Sequence, residues 1–334
     1  MRLPVWCTWC KDSVTRNGLT PGDLLITDNG NVLLYVRRIH GTDVIVVPKY
    51  TAGNGPWSVA YFTTLKRIIK TYSPKDVDIA ARIIDSVYSP NYGVKIPVLS
   101  LSNFRGLLCT LRPPLHDIID ELNEFTDSVW SMLSETLPGL TECGRPTGSA
   151  LMGSLRSFSD IDVVYVTDRL ACWKTLDEHT QNKHIQPLPP RELQEWANRE
   201  ASTRGLPPGL VAKLYRPWAR FVLGRRIVSL VFASAFARWK EERRVVIPGN
   251  KVKEIVVRVE PRNIELADFP AIVETLEGIY LVVYDGLFVP PLYDGGRFRV
   301  RGITSKILTE SGEFDALIIG AREAVTFLEP LQHP

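Results

Sequence analysis

The sequence predicts an α/β (α+β) protein, with a central core of mixed sheet and helices flanked by β-rich units on either side. Three observations predict it. Short runs of branched apolar residues, broken by turn signals, fill the chain before residue 115 and again after residue 245. A strongly periodic apolar segment follows Pro113-Pro114. An apolar strand interrupted by acids, Asp160-Ile161-Asp162-Val163-Val164-Tyr165-Val166, lies at the centre. The expected organisation is a β-rich N-terminal region over 1–115, the core over 116–244 and a β-rich C-terminal region over 245–334.

From Gly22 the pattern DLLITDNGNVLLYVRRIHGTDVIVVP reads as an antiparallel meander, with turns at Asp28-Asn29-Gly30 and at His40-Gly41-Thr42-Asp43. Gly93 to Arg112 adds further strand-like pieces. Ile118, Leu122, Phe125, Val129, Met132 or Leu133, and Leu137 then recur at three- and four-residue intervals, the apolar face of a helix that Pro138-Gly139 ends. An extended segment leads to Gly148. Residues 169–223 read as mostly helical, interrupted by Pro187-Leu188-Pro189-Pro190 and Pro207-Pro208-Gly209. Strand signals resume at Arg226–Phe232 and dominate from Val245 to Val300.

The 334-residue chain has a formal charge of +3, so any surface for a polyanion must be local. Five cysteines, an odd number in a chain too large to need a disulfide framework, point to a reducing interior. The first residues lack the apolar core of a signal peptide, and the best apolar run, Ile227 to Ala237, is too short to cross a bilayer. A cytoplasmic protein with no membrane partner is expected. Only four glutamines hint at a heat-adapted source.

Asp160 and Asp162 stand two apart in a strand, so both carboxylates share a face while Ile161 points into the core. Carboxylate oxygens are hard ligands for Mg²⁺ or Mn²⁺, and a pair of such ions can clamp the attacking and leaving oxygens of an in-line displacement. Gly148-Ser149 would form a tight turn where glycine lets the backbone approach a phosphate and Ser149 offers a hydroxyl and an amide. The interval from Gly148 to Asp160 leaves room for a short helix and a loop that return the chain beside this grip. Two like charges without a metal repel, so Asp→Asn changes at 160 or 162 are expected to raise the melting temperature of the metal-free protein.

At these residues the chain resembles the DNA polymerase β-like nucleotidyltransferase superfamily: PTGSALMGSLRSFSDIDVVYV reproduces its Gly-Ser, second glycine and Ser-Asp-x-Asp before a hydrophobic strand. The TGS-x-L-x-G form and the β-rich flanks are similar to an uncharacterised, mainly archaeal family of nucleotidyltransferase-domain proteins. The resemblance implies that Gly148 and Ser149 contact a nucleoside triphosphate and that Asp160 and Asp162 bind the catalytic metals. It implies transfer of a nucleoside monophosphate from an NTP to a hydroxyl, with an RNA end or a protein as acceptor, and release of pyrophosphate. The superfamily usually adds a third carboxylate from a later strand. Here Arg226–Phe232 offers Ser229 in that place, and Glu254 and Glu260 are the alternatives. The rival expectation is a catalytically inactive nucleotide- or RNA-binding module that retains the fold.

Weaker signals remain. Cys7 and Cys10 have the spacing of half a zinc knuckle, but no second pair accompanies them and ordinary thiols are the simpler reading. KLYRPWARFVLGRR interleaves Lys213, Arg216, Arg220, Arg225 and Arg226 with aromatics, as a nucleic-acid groove would; an amphipathic helix with its aromatics in the core accounts for it better. Arg297, Arg299 and Arg301 alternate along a strand and share a face, either a solvated sheet face, which is commoner, or a phosphate-facing surface.

Overall fold

In a computed structural model of the chain, the described residues are 19–40, 42–59, 63–69, 76, 79, 82–108, 131, 133, 135, 143–152, 154–155, 159–166, 175, 178, 185–233, 244–262, 269–321 and 324–331. Most of the helix expected between Ile118 and Leu137 lies outside them, although Ser131, Leu133 and Glu135 within it are helical. Cys7 and Cys10 also lie outside. Among the described residues no helix is long and apolar enough to cross a membrane.

The architecture is mixed α/β and rich in sheet. Seven N-terminal strands, β1 (Leu24–Thr27), β2 (Val32–His40), β3 (Asp43–Val59), β4 (Thr63–Arg67), β5 (Ser86–Ser89), β6 (Val94–Ser100) and β7 (Phe104–Leu108), make one antiparallel sheet in the order β5-β6-β3-β2-β1-β7, with β4 paired to β3. The turn between β1 and β2 closes on Gly30, whose φ of +75° suits glycine and whose N–H donates to Thr27 O at 3.0 Å. Where β3 passes β2 the register slips: Val32 faces Tyr50 and Leu33 faces Pro48, which leaves Lys49 as an extra, bulged residue.

The central sheet has four strands in the order β10-β11-β9-β8: β8 (Gly144–Pro146), β9 (Ile161–Val166), β10 (Arg220–Leu223) and β11 (Arg226–Ala233). β9 and β11 run parallel and the outer pairings are antiparallel, so the sheet is mixed. Helix α1 (Gly148–Leu151) is a single turn after β8, while α2 (Pro190–Arg204) and α3 (Pro208–Leu214) fill the connection from β9 to β10. Proline at the first turn of α2 and of α3, and Gly205 in left-handed conformation at the end of α2, set these boundaries. The KLYRPWARFVLGRR segment is therefore a helix end, a turn and a hairpin. Pro217 cannot continue α3, and the strand that follows turns at Gly224-Arg225. Its aromatics Trp218 and Phe221 are nevertheless buried, as an amphipathic segment requires.

The C-terminal sheet orders β12 (Val245–Val259), β15 (Gly296–Thr309), β16 (Gly312–Ile319), β14 (Tyr280–Val283) and β13 (Ala271–Glu274), with β17 (Phe327–Pro330) on β15 and the short helix α4 (Val289–Asp294) before β15. One apolar cluster runs from Ile161, Val163 and Val228 of the central sheet through Phe221 to Val257, Phe298 and Leu317. A buried ion pair crosses the same junction. Arg204, at the end of α2, donates to both oxygens of Asp285 at 2.5 and 2.9 Å, and also to Glu200 at 2.7 Å. Burial disfavours the Arg204 charge, but Asp285 and then Glu200 outweigh it and raise its pKa above the ordinary value.

Cys143, buried just before β8, is disulfide-bonded, and its partner lies outside the described residues. The reducing interior expected from the odd cysteine count does not hold for this thiol.

Two outcomes follow from these contacts. Asp285→Asn, which leaves Arg204 buried beside a neutral amide, is expected to cost about 3–5 kcal/mol in urea unfolding. Glu329 on β17 accepts from Lys213 and Arg299, which hold its pKa below the ordinary carboxylate value. Because the folded value is lowered, the stabilisation is present above the unfolded pKa and is lost as pH falls through the folded one. Melting curves of Glu329→Gln should lie below the parent at neutral pH and converge with it in acid.

Candidate functional site

The central sheet sets three strands side by side so that one face carries the polar residues. Ser229 of β11 is the register partner of Asp162 on β9 and of Arg220 on β10. Alternation buries Ile161, Val163 and Val228 on the other face. Asp160, just before β9, joins the same group through Arg220, whose guanidinium donates to Asp160 Oδ2 at 2.6 Å and to Ser229 Oγ at 2.5 Å. The carboxylates of Asp160 and Asp162 are 36% and 28% exposed, so the group opens to solvent.

The turn that carries Gly148 and Ser149 lies directly against Asp162. β8 pairs with β9, and Thr147 N–H donates to Asp162 O at 3.0 Å, which fixes the turn beside the strand. Gly148 has a φ of +61°, and a Cβ there would stand 2.8 Å from Asp162 Oδ2 and 2.9 Å from Lys49 Nζ. A larger residue would strain the backbone and displace one of these two groups. Ser149 is 5% exposed, and its hydroxyl has no hydrogen-bond partner among the described residues. Ser154, whose N–H donates to Ser149 O at 2.9 Å, is equally buried and its Oγ is also unpartnered, as is Arg220 Nε. Buried polar atoms are nearly always paired, so the unpartnered Ser154 hydroxyl and Arg220 Nε are two groups that a ligand or water would complete.

Lys49 is the residue that sequence reasoning missed. The bulge in β3 aims it across the junction into the central core, where its ammonium meets Asp162 Oδ2 at 3.3 Å with the side chain only 2% exposed. Two further contacts seat the N-terminal sheet on the turn: Thr147 Oγ1 donates to Gly22 O at 2.6 Å, and Leu151 and Met152 pack among Leu24, Ile26, Val32, Tyr50 and Leu65. The only trace in the sequence is a lysine set in an otherwise apolar strand, VIVVPKY. Arg220 was noted there only as part of a basic aromatic segment.

Each aspartate therefore already faces a cation. Among the described residues no group of three or more His, Cys, Asp or Glu side chains is placed to hold a metal ion. Glu254 and Glu260 do not join the site: Glu254 lies on β12 of the C-terminal sheet, 3.7 Å from Arg299, and Glu260 directly follows that strand. The third position on the polar face belongs to Ser229.

No family model, curated protein or solved structure matches the chain.

The ion pairs reverse the effect expected for the aspartates. Removing the Asp162 charge leaves Lys49 buried beside a neutral group, so Asp162→Asn should lower stability by about 3–5 kcal/mol, where like-charge repulsion alone would raise it. Lys49→Met combined with Asp162→Asn should recover much of that loss, since a buried ion pair replaced as a unit is often neutral. Urea unfolding of the two single variants and the double variant checks the coupling.

Proposed function

We propose that this chain is a nucleotide-binding module built on a nucleotidyltransferase-like core, with the phosphate grip retained and the metal-dependent transfer absent. The observation that carries the reading is Arg220 bridging Ser229 and Asp160, which puts a guanidinium where metal-dependent transfer wants a third carboxylate. Lys49 does the same for Asp162. Two acids matched by two cations make a locally neutral site, and a pair of divalent ions needs a strongly negative one. The donor set does not fit a two-metal centre.

It fits a phosphate group better. A phosphate brought to the turn would meet Ser149 and the unpartnered hydroxyl of Ser154, beside a glycine that lets it approach the backbone, and Arg220 on the polar sheet face holds an unpartnered Nε. Arginine suits that role, because its planar fork can keep one carboxylate bond while offering other N–H groups to an anion.

The second reading, favoured by the exposure of Asp160 and Asp162 on one face, is a Mg²⁺- or Mn²⁺-dependent nucleotidyltransferase acting on an RNA end or a protein. In that case the nucleotide would draw Lys49 and Arg220 onto its phosphates and free both aspartates.

Labelled NTPs separate the two. The binding module retains NTP in EDTA, weakens on Ser149→Ala and passes no label to total RNA or protein with either metal. Binding that needs metal, together with label transfer, would overturn the proposal. A gain-of-function arm probes the geometry directly: Ser229→Asp with Arg220→Ala supplies the missing acid and removes the cation, and should create Mn²⁺ binding, read by electron paramagnetic resonance, that the parent lacks.

A further inference from the structure

The outer face of the C-terminal sheet carries a charge pattern that folding does not explain. Along β15, Arg297, Arg299 and Arg301 are exposed while Phe298 and Val300 between them are buried, so the three guanidinium groups stand on one face about 6.8 Å apart along the strand. Directly across from Arg297 on β12 stands Arg258, also exposed. Like charges set opposite each other in an antiparallel pair destabilise a sheet. Arg258 is relieved by Glu277, and Arg301 faces Glu254 across the strands without a hydrogen bond to it, whereas Arg297 faces only Arg258 and makes no ion pair among the described residues.

The neighbouring strand supplies a different chemistry. β17 places Phe327 opposite Arg301, and Arg299 lies over the Phe327 ring at 5.7 Å while bonding Glu329. Glu329 is shared with Lys213 of α3, so the basic aromatic segment and the arginine strand meet on one surface. Cations with free donors beside an aromatic ring and a guanidinium plane offer phosphates a place to bind and bases a place to stack. An acidic polypeptide would use only the first.

We propose that this sheet face binds a single-stranded nucleic acid, with backbone phosphates on Arg297 and Arg301 and a base stacked at Arg299 and Phe327. The surface is separate from the Gly148–Asp162 cradle, and the inference does not depend on that site's binding a nucleotide.

Fluorescence anisotropy with labelled single-stranded RNA, and in parallel single-stranded DNA, tests it on the full chain. Each phosphate contact on a single strand contributes about 0.7 to the slope of log K against log salt, so Arg297→Gln with Arg301→Gln should lower the slope by about 1.4 and weaken binding about tenfold or more at low salt. The melting temperature should not fall, because Arg297→Gln also removes the opposition to Arg258. Lys66→Gln with Lys95→Gln, exposed positions on β4 and β6, removes the same charge elsewhere and should leave both slope and affinity near the parent. Phe327→Leu should weaken binding with little change in slope. Tighter binding to RNA than to DNA, or the reverse, identifies which strand the face takes. The proposal is overturned if the arginine double variant binds like the parent, if the lysine control loses as much, or if polyglutamate competes as well as RNA at equal charge. The Ser149→Ala variant should bind RNA normally, so failure of this surface and failure of the nucleotide cradle are read separately.

Discussion

Two carboxylates held on one sheet face must be neutralised, and the way this chain does so shapes everything around the site. Asp162 is met by a lysine from the N-terminal sheet and Asp160 by an arginine from the hairpin that closes the central sheet. Lys49 reaches inward only because a bulge adds one residue to β3 between Pro48 and Tyr50. The ammonium is almost wholly buried, so it demands its countercharge, and this locks the N-terminal sheet onto the Gly148 turn. The buried bond from Thr147 to Gly22 and the apolar packing around Leu151 and Met152 reinforce the same junction.

A site built this way behaves differently from an acid-rich one. Three carboxylates facing one another are held together by metal and repel one another without it. Two ion pairs are complete as they stand, and Gly148 packs so closely on the Lys49–Asp162 pair that a Cβ there would have to displace it. What remains unsatisfied is polar but not acidic: the Ser154 hydroxyl and one guanidinium nitrogen of Arg220. Those are donors, so the arrangement favours an anion over a cation as the group that completes it.

The parts of this arrangement that were legible in the sequence are local ones. The alternation of Asp160, Asp162 and their apolar neighbours put both acids on one face, and Gly148-Ser149 followed by a short return to the strand put the turn beside them. Lys49 lies 113 residues from its partner in a separate sheet, and its inward direction depends on a register slip that leaves no periodic trace. Arg220 was obscured for another reason. Arg216 to Arg226 has helix-like spacing of aromatics and cations, but Pro217 and the Gly224-Arg225 turn convert it to a hairpin, and only the hairpin aligns Arg220 with Ser229. Cys143 shows the limit of composition: an odd cysteine count says nothing about which thiols pair.

The two charged regions of the molecule use the same residue types to opposite ends. At the central sheet every described charge on the polar face has an opposite within hydrogen-bond reach, so the charges there hold strands and units together. On the C-terminal sheet, Glu329 is divided between Lys213 and Arg299, Glu277 is committed to Arg258 and Glu254 stands between Arg299 and Arg301, which leaves cations in excess on that face, Arg297 foremost. Such an excess contributes nothing to folding and opposes it where Arg258 faces Arg297. The cations left over on this face stand at every second residue of one strand, so their spacing follows the pleat of the sheet, whereas the charges of the central sheet are placed by their partners.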